Sequence, residues 1–177
     1  MSTFIEQLKE LKVTVSSPES AVTASRSDDG YAFTIDPDVA RHLDEAALAG
    51  EIEAAWTTAM QRHTAQARRI LIDRWRDRPD TSGPTEPAVA RKARYRELMS
   101  DIEVTQRSPR DLVRVALYGD GELYVTITPG AVMRMGGGYS MLEAEVTAAV
   151  NGAMADFRAQ RRVIHKNVYD RPGGEHG

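Results

Sequence analysis

The sequence predicts an α+β fold built from two tandem α-β-β(-β)-α units, on three observations. First, residues 13–37 (VTVSSPESAVTASRSDDGYAFTIDP) and 104–129 (VTQRSPRDLVRVALYGDGELYVTITP) share one frame: V-T-x-x-S-P, an alternating strand, a D-G turn, and a second alternating strand ending in I-[DT]-P. Second, the offset between the copies drifts only at turns. It is 91 from Val13/Val104 to Gly30/Gly121, 92 at Ile35/Ile127 and Pro37/Pro129, and 94 at Ile52/Val146, Met60/Met154 and Arg68/Arg162. Such drift is what two copies of one folded unit show, and a repeat sets the architecture before any single element does. Third, each frame is followed by a long stretch of helical periodicity.

Phe4, Ile5, Leu8 and Leu11 stand at helical spacing and predict a short first helix over 3–11. Val13, Val15, Ala21 and Val22 lead into strands. Asp28-Asp29-Gly30 predicts a hairpin turn, because glycine accepts the positive φ of a tight turn. Residues 32–35 form the next strand, and Pro37 ends the pairing because it offers no backbone donor. Asp44 is a good N-cap for a helix through Leu48, Ile52, Trp56, Ala59, His63, Ala67 and Ile70, extending to about residue 76. Such a helix is roughly 45–50 Å long and overhangs a unit this small. Residues 77–88, rich in proline and small polar residues, predict a linker. The second unit follows with a helix over 88–103, strands over 104–128, and a capping box at Ser140 and Glu143. Val146, Val150, Ala153, Phe157, Ile164 and Val168 stripe the last helix. The predicted units are 1–78 and 89–170, with a linker at 79–88 and a disordered tail at 171–177. A three-stranded sheet with one covered face is barely self-sufficient, so the units are expected to pair within the chain as a pseudo-dimer with long protruding helices.

The chain has 177 residues and no cysteine, which excludes a disulfide frame and a thiol nucleophile. MSTFIEQLKELKV has no apolar core of signal-peptide type, and no apolar run is long enough to span a bilayer. A cytoplasmic protein with no membrane partner is expected. The net charge of −3 conceals a pattern: residues 1–55 carry −7, 56–114 carry +5, 115–157 carry −4 and 158–177 carry +3. Basic helix ends thus alternate with acidic strand regions, and the distribution of charge decides whether a polyanion can bind.

This pattern resembles the YbaB/EbfC family of nucleoid-associated proteins. The resemblance is carried by Leu11-Lys12-Val13-Thr14, the Asp29-Gly30 turn and Thr34-Ile35-Asp36-Pro37. It is carried again by Ile102-Glu103-Val104-Thr105, Asp120-Gly121, Thr126-Ile127-Thr128-Pro129 and Ala148-Ala149-Val150-Asn151. It covers nearly the whole chain outside linker and tail, and departs from the family in being a tandem fusion, in its short first helix, in Thr128 for an acid, and in Thr57 where the second copy has Asn151. The resemblance implies the family's tweezer-shaped dimer made by one chain, and binding of duplex DNA with little sequence specificity. Secretion-associated proteins also resemble this fold and imply an alternative, a protein-interaction adaptor with a protein partner.

The candidate DNA-binding residues are Arg62, Arg68, Arg69, Arg74 and Arg76 on the first long helix, with Arg78 just beyond. Arg91, Lys92, Arg94 and Arg96 open the next helix, and Arg158, Arg161, Arg162, His165 and Lys166 lie on the last. Arginine suits the task because its planar fork contacts phosphate in bidentate fashion. The bland alternative is solvated helix surface, or pairing with a neighbouring acidic helix start. Gly136-Gly137-Gly138 reads as a flexible loop or as amides for an anion. His42, His63, His165 and His176 share no metal-ligand spacing, and Asp36 and Asp38 read as helix-start residues. Trp56 reads as core and Trp75 as packing near the linker. No catalytic frame, metal or cofactor is predicted, so the expectation is a non-enzyme. The expected state is a monomeric pseudo-dimer or a homodimer.

Overall fold

The computed structural model describes residues 4–75, 86–134 and 138–170. Its class is α+β: two three-stranded antiparallel sheets, with strand orders β1-β2-β3 and β4-β5-β6, packed with helices around one core. In the first half, α1 (Phe4–Lys9) precedes β1 (Val13–Ser16), β2 (Val22–Ser27) and β3 (Gly30–Ile35), then α2 (Pro37–Ala40) and α3 (Glu45–Trp75). In the second, α4 (Glu86–Ser100) precedes β4 (Glu103–Arg107), β5 (Val113–Tyr118) and β6 (Leu123–Ile127), then α5 (Ala131–Arg134) and α6 (Tyr139–Tyr169).

Each sheet alternates buried and exposed residues, so one face is apolar and needs cover. α3 lies over β1 and β2 and also packs against β6 of the other half, while α6 lies over β4 and β5 and packs against β3. Trp56, Leu48 and Ile52 of α3 and Leu142, Val146 and Val150 of α6 are fully buried there. The Trp56 indole N–H donates across the halves to the Gly121 carbonyl, at 3.4 Å.

Spacing explains how a helix can serve a sheet edge. The outward N–H groups of β3 belong to Tyr31, Phe33 and Ile35, and α6 meets them with side-chain acceptors one turn apart. Ile35 N donates to Glu143 Oε1 (2.7 Å), Phe33 N to Thr147 Oγ1 (3.3 Å) and Tyr31 N to Asn151 Oδ1 (2.9 Å), while Asn151 Nδ2 donates to the Tyr31 carbonyl (2.8 Å). Four helical residues rise about 6 Å and two strand residues about 6.8 Å, so the two ladders stay in step for three contacts. In the other direction Val125 N donates to Glu53 Oε1 (2.6 Å) and Gly130 N to Glu45 Oε1 (2.9 Å). Exposed edges invite pairing with other chains, and here each of these edges is covered by a helix of the other half. Asn151→Ala leaves the Tyr31 N–H and C=O unpaired and is expected to lower stability by about 2–4 kcal/mol. Thr57→Ala, at the equivalent place on α3, is expected to change it by less than about 0.5 kcal/mol. Urea unfolding of the two variants checks both.

A second device recurs in each half. The S-P-x-[SD] loop before β2 or β5 turns through a residue with positive φ, Ser20 (62°) or Asp111 (55°). Ser17 Oγ accepts from Val22 N (3.0 Å), and Ser108 Oγ from Val113 N (3.0 Å). A buried glutamate from the half's own long helix holds the loop: Glu51 accepts from Ser17 Oγ and from Glu19 N (3.1 Å), and Glu145 accepts from Arg110 N (3.0 Å). The helix is thereby fixed against its own sheet.

Several local expectations change. The first helix is only Phe4–Lys9 and has no buried residue, and Ile5 is 62% exposed. Pro37 opens α2, where Asp36 Oδ1 accepts from Asp38 N (2.9 Å). α4 starts at Glu86, so the last residues assigned to the 79–88 linker are helical, and it stops at Ser100 because Glu103 already belongs to β4. The capping box at Ser140 and Glu143 is not formed. α6 begins at Tyr139 after Gly138, which makes no side-chain cap, and Glu143 serves β3 instead. Asp44 caps α3 as expected through Ala47 N (2.7 Å). Residues 76–85 and the 171–177 tail lie outside the described residues.

Candidate nucleic-acid interface

The basic candidates sit on the outer parts of two helices of 31 residues each, about 46 Å long. The last fully buried residue is Ala59 on α3 and Ala153 on α6. Some four further turns, about 24 Å, extend past each point. Met60, Met154, Phe157 and Ile164 line the inward side of these extensions as partly buried apolar residues.

The candidates fall into two groups. Arg91, Lys92 and Arg94 are exposed on α4, which lies along α6 and therefore beside exposed Arg158, Arg161, Arg162, His165 and Lys166. Tyr95 joins the two helices. Its hydroxyl accepts from Arg161 Nε at 3.0 Å, and its ring meets His165 edge-on (6.2 Å between centroids) and Tyr169 (5.8 Å). Arg158, Arg162 and His165 follow Asn151 at helical spacing, so they continue outward the face that docks on β3. Arg158, Arg161, Arg162 and His165 line one concavity of about 320 Å³.

Arg62, Arg68 and Arg69 are exposed on α3. Arg68 and Arg69 border a hollow of about 580 Å³ with Met60, Thr64 and Ile72. Among the described residues no long helix packs along this arm, and Leu71 and Ile72 are 41% and 51% exposed. Arg74 lies on α3, but its side chain, Arg76 and Arg78 are outside the described residues, as are Gly136, Gly137 and His176 and the side chain of Trp75.

The two ion pairs among the described residues, Arg41–Asp38 and Arg107–Asp111, involve none of the candidates. Both arms end at helix C-termini, where the macrodipole is negative. Cations there also stabilise the helix. Their number exceeds that need, since Arg62 and Arg158 stand three turns from the helix ends.

Titration singles out the junction of β3 with α6. Tyr31 is 3% exposed and its hydroxyl has no hydrogen-bond partner, though the Arg26 guanidinium lies 5.3 Å from its ring centroid. Burial outweighs the attraction of Arg26 and Arg158 and pushes the Tyr31 pKa up to about 12. A folded pKa above the unfolded value of about 10 means that this contribution is complete below pH 10 and is lost as pH climbs toward 12. The expected loss is about 2–3 kcal/mol across that window, and Tyr31→Phe should abolish this part of the pH dependence. Urea midpoints of both proteins from pH 9 to 12 check it. His63 is half-buried on α3, and its pKa is lowered by desolvation and then by Arg26. Among the described residues no cluster of three or more metal-ligand side chains occurs, and no helix is long and apolar enough to cross a membrane.

Compared with protein-family models, with curated proteins and with solved structures, the chain finds no match in any of the three.

Proposed function

We propose that this protein binds duplex DNA in the manner of a nucleoid-associated protein, gripping backbone phosphates with little regard for sequence. In this reading the two halves are YbaB-like units forming a pseudo-dimer within one chain. The observation that carries it is the pair of long helices whose outer turns bear exposed cations (Arg62, Arg68 and Arg69; Arg158, Arg162 and Lys166) outside every ion pair of the described residues. Exposed cations held on a rigid rod, outside the ion pairs of the described residues, are available to release counterions from a polyanion. Among the described residues no motif for reading base edges is visible, and the contacts in this reading are to the backbone. Binding of a random duplex of about 20 base pairs across 50–300 mM salt tests this. Affinity should fall steeply, with a log–log slope of several ions. A folded protein that leaves the duplex unbound at about 50 mM salt would refute it.

A protein-interaction adaptor is the second reading. The observation favouring it is the apolar face of α3 that no described helix covers, with Leu71 and Ile72 exposed, where α4 packs along α6. An adaptor would retain a protein partner after nuclease treatment and would be released by Leu71→Lys. The DNA reading expects duplex affinity to survive that change.

A further inference from the structure

The roots of the two arms differ in polarity. At the root of α6, Arg26 of β2 stands directly across from Tyr31 of β3, with its guanidinium over the ring. Tyr31 is pinned to α6 through both backbone bonds to Asn151. Arg158 lies two turns beyond Asn151 on the same helix face, exposed. At the root of α3 the equivalent positions are Leu117, Leu123 and Thr64, and both leucines are buried. Leucine fills the place at the α3 root, whereas at the α6 root the Tyr31 ring packs on Trp56, 4.2 Å between centroids. The α6 root instead keeps a buried tyrosine hydroxyl with no partner, a group that ordinarily costs about 1–3 kcal/mol to leave unpaired. Arg26 and Arg158 both act electrostatically on Tyr31, and neither is in an ion pair of the described residues. Packing on Trp56 accounts for the aromatic ring of Tyr31 but not for its hydroxyl, which phenylalanine would lack, and an unpartnered buried hydroxyl beside a guanidinium points to a ligand.

We propose that Arg26 and Arg158, with the Tyr31 hydroxyl as a spare donor beneath them, form one phosphate-binding site at the root of the α6 arm. The site has no counterpart on α3. It rests on the phosphate-gripping reading above, in which a backbone phosphate of the duplex fills it, and it makes the grip asymmetric. The α6 root anchors one phosphate, while the outer arginines of both arms contribute diffuse attraction. Two guanidiniums from different elements fix an anion's position, which a single mobile side chain does not.

The experiment has two arms. In the first, Arg26→Leu and Arg158→Thr convert the site to the residues of the α3 root, separately and together, and duplex binding is measured across salt. Each single change should weaken binding about tenfold at 100 mM salt and lower the slope by about 0.9, and the double change by about twice that. Tyr31→Phe should have a smaller effect of the same sign. In the second arm, inorganic phosphate is titrated into the unmodified protein while the arginine Nε–H resonances are followed by NMR. Saturable movement of Arg26 and Arg158 is expected, ahead of Arg68 and Arg69. If the unmodified protein binds the duplex but the double variant binds it equally well, the site is overturned while the DNA reading stands. If the duplex is not bound but phosphate saturates Arg26 and Arg158, the site stands with free phosphate as its ligand and the DNA reading falls. If neither binds, both fall. The phosphate titration needs no variant, so a folding defect in a variant does not remove the test.

Discussion

Reversing the charge of Arg68, Arg69, Arg162 and Lys166 to glutamate should lower duplex affinity by more than about 100-fold at 100 mM salt and flatten the salt dependence by about four contacts' worth of slope. All four are exposed and none is in an ion pair of the described residues, so the loss should come without unfolding. Surface changes of this kind typically shift stability by less than about 0.5 kcal/mol each. The choice of residues follows from the structure. Arg161 looks equivalent to its neighbours in the sequence, but its Nε is engaged by the Tyr95 hydroxyl, and Tyr95 ties α4 to α6. Replacing Arg161 would therefore mix loss of charge with loss of the α4–α6 contact. Splitting the variant is informative: Arg68 and Arg69 lie on the uncovered arm, Arg162 and Lys166 on the arm backed by α4. A two-armed grip predicts that either pair alone removes about half of the slope change. Loss confined to the Arg162/Lys166 pair would place the interface on α4 and α6 alone. Unchanged binding in the fourfold variant, with an unchanged thermal midpoint, would refute the arm model.

The α+β class and both long helices were legible in the sequence because their signals are local. Alternation marked the strands, Asp44 marked the start of α3, and the apolar stripe from Leu48 to Ile70 marked its extent. The interactions that hold the halves together were not legible, because they join residues about a hundred positions apart. Glu143 illustrates this. Three residues after a serine, it carries the local signature of a capping box, yet its carboxylate accepts from Ile35 N. Glu51 and Glu145 look like surface residues on the polar side of a helix, and both are buried, holding the S-P loops. Asn151 carries no local signal beyond the resemblance, because its role as a clamp on Tyr31 depends on a residue 120 positions away. Among the basic residues, the sequence marked Arg158 but gave no reason to single out Arg26. A lone arginine in a strand carries no periodic signal, and its importance comes from Tyr31 across the ladder.

The largest stability effect should come from one glycine. A Cβ placed on Gly119 would sit 1.7 Å from the Met99 carbonyl oxygen and 2.7 Å from its carbon, both backbone atoms at the end of α4. Side-chain rotation cannot relieve a clash with backbone. Either the end of α4 moves by more than an ångström or the β5–β6 turn does, and the turn is tied by Gly119 N to the Ile102 carbonyl (2.9 Å) and by Tyr118 N to the Glu122 carbonyl (3.0 Å). Gly119→Ala should therefore cost at least about 3 kcal/mol, among the larger effects seen for a single methyl group. The first half has Asp28, which carries a Cβ, at the corresponding place, so the glycine-dependent approach belongs to the second half. The approach fixes the end of α4 against the β5–β6 turn. The Arg161–Tyr95 contact should consequently loosen, and hydrogen exchange in α4 should rise before that in β4 and β5. Gly50→Ala is the matched control. Gly50 lies inside α3 with nothing within 4 Å of an added Cβ, so alanine should stabilise by about 0.5–1 kcal/mol through helix propensity alone. Opposite shifts of the two urea midpoints would show that backbone approach, and not glycine content, governs this part of the fold. A Gly119→Ala protein as stable as the parent would mean that the end of α4 does not rest against the β5–β6 turn in solution, and the placement of α4 beside the α6 arm would have to be abandoned.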